Sequence, residues 1–280
     1  MKGSVRQERA AGASDGNRPA RPAGARWQAV ALPPEHGSWG LVGEPVVLGL
    51  LVAPAWASLL VGVGAFAGFL AYRPAKLVWG DLRRRKRYPR TALAVRLAAG
   101  FALAAALALA GAWSLAGAGW LLPFVLAAPF GIAFVAYDLR PGRFWQAELA
   151  APVAFAATAA AMALAGGLAP AVALSLWAVM AARSVPSVLY VRERLRLERG
   201  EPARRALAVA AHGVALATVV LLAAAGWLPW LAASAVALLL ARAAWGLSRH
   251  RRPATARAVG FGEIAWGVVT VLLVAAGFWP

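Results

Sequence analysis

The chain has 280 residues, 61% of them hydrophobic, with a mean hydropathy of +0.65, a formal charge of +18 and no cysteine. A soluble domain of this length cannot hide so much apolar surface, since ordinary globular chains are only ~45–50% apolar, and the absence of cysteine excludes disulfides and thiolate metal sites. The positive charge does not imply nucleic acid: the basic residues flank apolar segments, where they orient a membrane protein and meet anionic headgroups, so membrane lipids are the expected partners.

In chain order, residues 1–30 read as a disordered basic tail, with Lys2, Arg6, Arg9, Arg18, Arg21 and Arg26 and no apolar periodicity. No apolar stretch follows the first basic residues, so a cleaved signal peptide is not expected. Residues 31–280 read as a single, all-α transmembrane domain. A span needs about 20 mostly apolar residues. That length predicts nine helices, at roughly 38–54, 57–72, 92–112, 119–137, 148–166, 170–190, 206–225, 228–246 and 260–278. The first contains Pro45, and Pro54 with Trp56 makes a tight turn before the second. Such prolines are tolerated where neighbours satisfy the freed carbonyl.

The connectors alternate in charge. The tail and the connectors at 73–90, 138–147, 191–205 and 247–259 hold 26 of the 29 Lys and Arg. The connectors near 55, 115, 168 and 227 hold none. Arg96, Arg183 and Arg242 fall inside spans, toward the basic side. Basic loops stay in the cytoplasm, so the expected topology is N-terminus in and C-terminus out. The opposite connectors are short and rich in Gly, Pro and Trp, as in Gly226-Trp227-Leu228-Pro229-Trp230. These are tight turns with interfacial Trp anchors.

Acidic residues and the three His follow the same asymmetry. Outside the tail, every one lies in a basic connector or in the adjacent half of a span. An ionised group facing lipid is costly, so such groups pair, turn inward or line a wet cavity. One polar cavity open to the cytoplasm is therefore expected, with Glu44 and Arg183 its deepest members. Arg96, Arg242 and Glu148 are read as snorkelling to the interface.

Three stretches carry candidate binding residues. Pro34-Glu35-His36-Gly37-Ser38 sits at the mouth of the first span. Ser38 can cap the helix and Glu35 suits its positive end; alternatively, Glu35 and His36 form a polar plug or ligand contact. Tyr72-Arg73-Pro74-Ala75-Lys76 leads to Asp81 and to the run Arg83-Arg84-Arg85-Lys86-Arg87. Arg73 and Lys76 share a helical face and with Asp81 can face the cavity, whereas the run reads as an orienting, lipid-binding cluster. Finally, Arg183, Ser187, Tyr190 and Arg194 follow a 4-3-4 spacing and form one helical stripe, with Pro186 expected to bend it. Arginine forks suit phosphate or carboxylate. There is no phosphate-binding P-loop, no His-Glu-x-x-His zinc motif and no defensible Ser-His-Asp set. No cofactor is expected.

The Pro-Glu-His-Gly-Ser-Trp start, the Tyr-Arg-Pro-x-Lys motif and Arg-Ser-Val-Pro-Ser-Val-Leu-Tyr-Val-Arg resemble the YwiC-like integral membrane proteins over most of residues 33–280. The resemblance implies a multi-pass protein of a bacterial inner membrane and names no activity. More distantly, the layout is similar to the UbiA-type prenyltransferases, which have nine helices and long cytoplasmic loops after the second and sixth. That likeness implies a prenyl diphosphate held through Mg²⁺ by paired Asp motifs. Here Asp81 stands alone among eight cations, and the sixth span ends in Arg183 and Tyr190. Magnesium usually takes one or two carboxylates plus phosphates, so this set argues against metal-dependent prenyl transfer. The leading expectation is an anionic lipid or isoprenoid diphosphate bound directly through Arg73, Lys76 and Arg183. The alternatives are a small-anion transporter or a non-catalytic scaffold.

Overall fold

A computed structural model describes residues 24–33, 36–140, 142 and 144–279. These residues form ten α-helices: α1 Gly24–Ala31, α2 His36–Val52, α3 Trp56–Arg83, α4 Thr91–Ala116, α5 Leu122–Asp138, α6 Trp145–Ala165, α7 Pro170–Glu198, α8 Arg205–Ala224, α9 Trp230–Gly246 and α10 Ala256–Ala276. A single 3₁₀ turn, Gly119–Leu121, leads into α5, and the described residues contain no strand. Seven helical segments are long and apolar enough to cross a bilayer. The architecture is that of a multi-pass membrane protein.

The nine long helices fall where the nine hydropathy segments fall, with three differences. First, α2 and α9 have 17 residues each and lack the 3₁₀ turn that lengthens the equally short α5, so they are about 25 Å long against a hydrocarbon core of about 30 Å. Each carries an ionisable residue in an apolar segment, Glu44 in α2 and Arg242 in α9. Second, α3 continues to Arg83 and α7 to Glu198. The connectors read as loops at 73–90 and 191–205 are therefore helical for much of their length, and Pro74 and Pro186 lie inside continuous helix. Lys and Arg are good helix formers, so loss of hydropathy marks where the bilayer ends and not where the helix does. Third, the last residues of the tail belong to α1, which buries Val30 and Ala31 and packs against α3 and α4. Residues 1–23 lie outside the described set.

The Ala-rich α6 and its neighbour α7 are the most enclosed spans. Small side chains let α2, α3, α5 and α7 all approach α6 closely, which matters where no hydrophobic effect drives helices together. Met162 shows how tight this is: a Cβ on Gly49 would stand 2.7 Å from its Cβ, and one on Gly62 would stand 3.0 Å from its Cε. The largest apolar cluster joins Leu48, Leu176, Met180, Val219, Val236 and Val274. These residues come from the halves of α2, α7, α8 and α9 that lead to the uncharged connectors and from the C-terminal half of α10. The bundle is thus sealed by hydrocarbon at one end, and its buried charges lie toward the other.

Candidate functional site

Four helices each bring one largely enclosed ionisable side chain to a common point. Arg183 of α7 is only 4% exposed. Its Nη2 donates to Glu44 Oε1 of α2 at 3.1 Å and to the Glu263 carbonyl of α10 at 2.7 Å, and its Nη1 lies 3.5 Å from Glu263 Oε2. Arg242 of α9 donates through Nη1 to Glu263 Oε1. The two guanidiniums share the Ser187 hydroxyl oxygen, Arg183 Nη1 at 2.8 Å and Arg242 Nη2 at 3.1 Å. Arg242 also lies over the Tyr190 ring, 4.0 Å from its centroid, a favourable cation–π placement in a desolvated setting. Two cations and two carboxylates make the cluster formally neutral. That is the condition under which ions persist in hydrocarbon: each is paired and hydrogen-bonded.

The 4-3-4 stripe on α7 is buried throughout: Arg183, Ser187, Tyr190 and Arg194 all face the interior. Arg194 extends the cluster toward the helix end. It donates to the carbonyls of Gly246 and Arg252 and pairs with Glu198 at 3.0 Å. Arg251 answers from the connector by donating to the Leu197 carbonyl at 3.2 Å. The α7 extension and the α9–α10 connector are thereby fastened to each other at carbonyls near the helix ends, where helices leave acceptors unused. Two glycines make room: a Cβ on Gly246 would meet the Tyr190 ring, and one on Gly267 would overlap the Glu44 carboxylate and crowd Arg183.

Beside the cluster is a cleft of about 190 Å³, walled by Tyr190, Arg194, Arg242, Glu263 and Trp266 and by small residues of α10. It is below the roughly 300–1,000 Å³ of sites that enclose a drug-sized ligand. His212 of α8 is 1% exposed and donates through Nδ1–H to the Ala208 carbonyl at 2.8 Å. Its Nε2 and the Nε atoms of Arg183 and Arg242 are buried without a hydrogen-bond partner. Such orphans are rare, and each asks for a reason.

The other sequence candidates stand apart from this cluster. Arg73 donates to the Ala29 carbonyl, at 3.2 Å from Nε and 2.8 Å from Nη2, and so caps α1. Lys76 pairs with Asp138 at 2.7 Å, and the Tyr72 hydroxyl donates to the same carboxylate, tying α3 to α5. Asp81 is buried, accepts from the Thr91 hydroxyl at 2.7 Å and lies 3.5 Å from Arg90, which holds the α3–α4 turn. Arg73 and Lys76 thus use their charge on α1 and α5 and do not join Arg183. Glu35 and the side chain of His36 lie outside the described residues. Arg242, read as snorkelling, turns inward instead, because Glu263 offers a partner that lipid does not. Arg96 is exposed, and Glu148 lies 3.9 Å from Arg192. The signal for the missed pair was present: a lone Arg and a lone Glu stand at the same level of two consecutive spans. Among the described residues no three His, Asp or Glu stand close enough to hold a metal ion.

Residues 32–163, from the turn before α2 through nearly all of α6, match the family described as YwiC-like protein. The matched part holds Glu44, Arg73, Lys76 and Asp81, and leaves α7 to α10, with the other three members of the charge cluster, beyond it. No curated protein and no solved structure matches the chain.

The packing around Gly267 yields a test. Gly267→Ala places a methyl where Glu44 and Arg183 meet, and lowers stability by about 1–3 kcal/mol, read as a drop in thermal unfolding temperature in detergent. Gly68→Ala, where nothing lies within 4 Å, leaves it near the parent value.

Proposed function

We propose that this protein resides in a bacterial inner membrane, N-terminus inside and C-terminus outside. There it binds the phosphate-bearing head of an amphiphile, an isoprenoid diphosphate or an anionic lipid, in the cleft between α7, α9 and α10. The observation that carries the reading is the pairing of that cleft with Arg242: a headgroup-sized opening ends on a guanidinium that keeps an unpaired Nε and stacks on Tyr190. Guanidinium is well matched to phosphate. Arg183, Ser187 and Glu44 stand behind it and hold its geometry through Glu263. The apolar cluster at the far end of the bundle supports a site closed on that side and speaks against a path for a small anion across the membrane.

The likeness in layout to UbiA-type enzymes remains our reading, with one departure. The carboxylate that would serve a Mg²⁺ site in the α3–α4 turn, Asp81, is buried and committed to Thr91 and Arg90. The donor set does not fit the ion, and we route no step through it. Binding rests on the arginines alone.

The orientation is checked by cysteine labelling, which the cysteine-free chain makes clean. Lys86→Cys reacts with an impermeant maleimide only from the cytoplasmic side and Ala118→Cys only from the outside; the reverse pattern contradicts the topology. For the ligand, the purified protein is titrated in EDTA with farnesyl diphosphate and, separately, with phosphatidylglycerol. At least one of the two binds in a way that depends on Arg242, and Arg242→Gln weakens it about tenfold or more, the usual cost of a lost hydrogen bond to a charged group. Binding of neither, or binding that requires Mg²⁺, overturns the reading.

A further inference from the structure

The turn between α3 and α4 carries a second feature that the α7 cluster does not use. Residues 83–87 are five consecutive cations, all exposed, and none has an acidic partner among the described residues. The nearest carboxylate, Asp81, is 2% exposed and faces inward to Thr91. The turn is nonetheless built. Arg85 N–H donates to the Leu82 carbonyl at 2.9 Å and Lys86 N–H to the Asp81 carbonyl at 3.1 Å, while Arg85 itself has φ of +52°. This is the helix-ending motif in which a left-handed residue closes the last turn, a position that glycine fills best. Here an arginine occupies it, at a cost in backbone energy that a glycine would avoid. The arginine thus stands where backbone energy favours glycine.

Directly beside these cations, α3 and α4 enclose an apolar groove of about 240 Å³, lined by Ala75, Val78, Trp79, Leu82, Val95 and Ala98. Arg83 links the two features, its guanidinium lying 5.7 Å from the centre of the Trp79 ring. Trp79 and Leu82 are exposed. A dense positive turn set on an apolar slot matches one occupant, a molecule with a negative head and a hydrocarbon tail joined at the membrane interface.

We propose that the α3–α4 hairpin binds an anionic glycerophospholipid, with its phosphate on Arg83, Arg84 and Arg85 and an acyl chain along Trp79 and Leu82. The site is separate from the α7 cleft. The lipid holds the hairpin at the cytoplasmic interface and explains the arginine at a glycine position.

The test uses the full chain in nanodiscs of mixed phosphatidylglycerol and phosphatidylcholine, with the lipids that stay bound on release counted by native mass spectrometry. The parent protein retains phosphatidylglycerol in preference. Arg85→Gly raises the unfolding temperature in phosphatidylcholine alone and lowers that preference about fivefold, the effect of one interfacial cation. Trp79→Ala weakens retention of the bound phosphatidylglycerol, while Arg205→Gln, a cation removed from the start of α8, leaves it unchanged. Absence of a preference, an equal loss in Arg205→Gln, retention untouched by Trp79→Ala, or an Arg85→Gly protein with its preference intact each overturns the proposal.

Discussion

Placing Arg183 inside a hydrocarbon-filled bundle is tolerable only because carboxylates from two other helices meet it there. That constraint organises the charged half of the bundle. Glu44 brings α2 to α7, Glu263 brings α10 to both, and Arg242 draws in α9 through the same carboxylate. A buried ion pair is weak evidence for stability, since desolvation of both charges opposes their attraction. In this arrangement of the four helices each of the four ions has a partner of opposite charge. The two helices too short to span the core comfortably, α2 and α9, each contribute one member, so their charges are held by the network rather than by length.

The basic residues divide by task. Arg183 and Arg242 belong to the buried cluster. Arg73, Arg194 and Arg251 donate to carbonyls, those of Ala29 in α1, Gly246 and Arg252, and Leu197, and so work as helix-end caps and fasteners. Residues 83–87 have neither role and stay exposed. A charge asymmetry that looks uniform along the chain therefore resolves into internal pairing, capping and interface, which is why a count of cations says where the polar end of the bundle is but not where a ligand sits.

Much of this was legible beforehand. The nine long helices follow from hydropathy and loop charge, because both depend on short-range composition. The Arg183–Ser187–Tyr190–Arg194 stripe follows from helical spacing alone. Other features depend on which helices become neighbours, which composition does not encode. Sequence alone places Arg242 at the interface because its partner lies on another helix, and places Arg73 and Lys76 at the cavity because nothing local reveals Ala29 or Asp138 as their acceptors. The extensions of α3 and α7 escaped notice for a different reason. A hydropathy window ends with the apolar residues, whereas the helix continues through charged residues that favour it just as well.

The central claim is that Arg183 and Glu44 stabilise the bundle as a pair and not as separate polar residues. A double-mutant cycle on thermal unfolding in detergent, with Glu44→Gln, Arg183→Gln and the two combined, measures this most directly. Each single change leaves an uncompensated ion and costs about 3–5 kcal/mol, and the double variant loses less than the sum by at least about 1 kcal/mol. Losses that simply add would contradict the account.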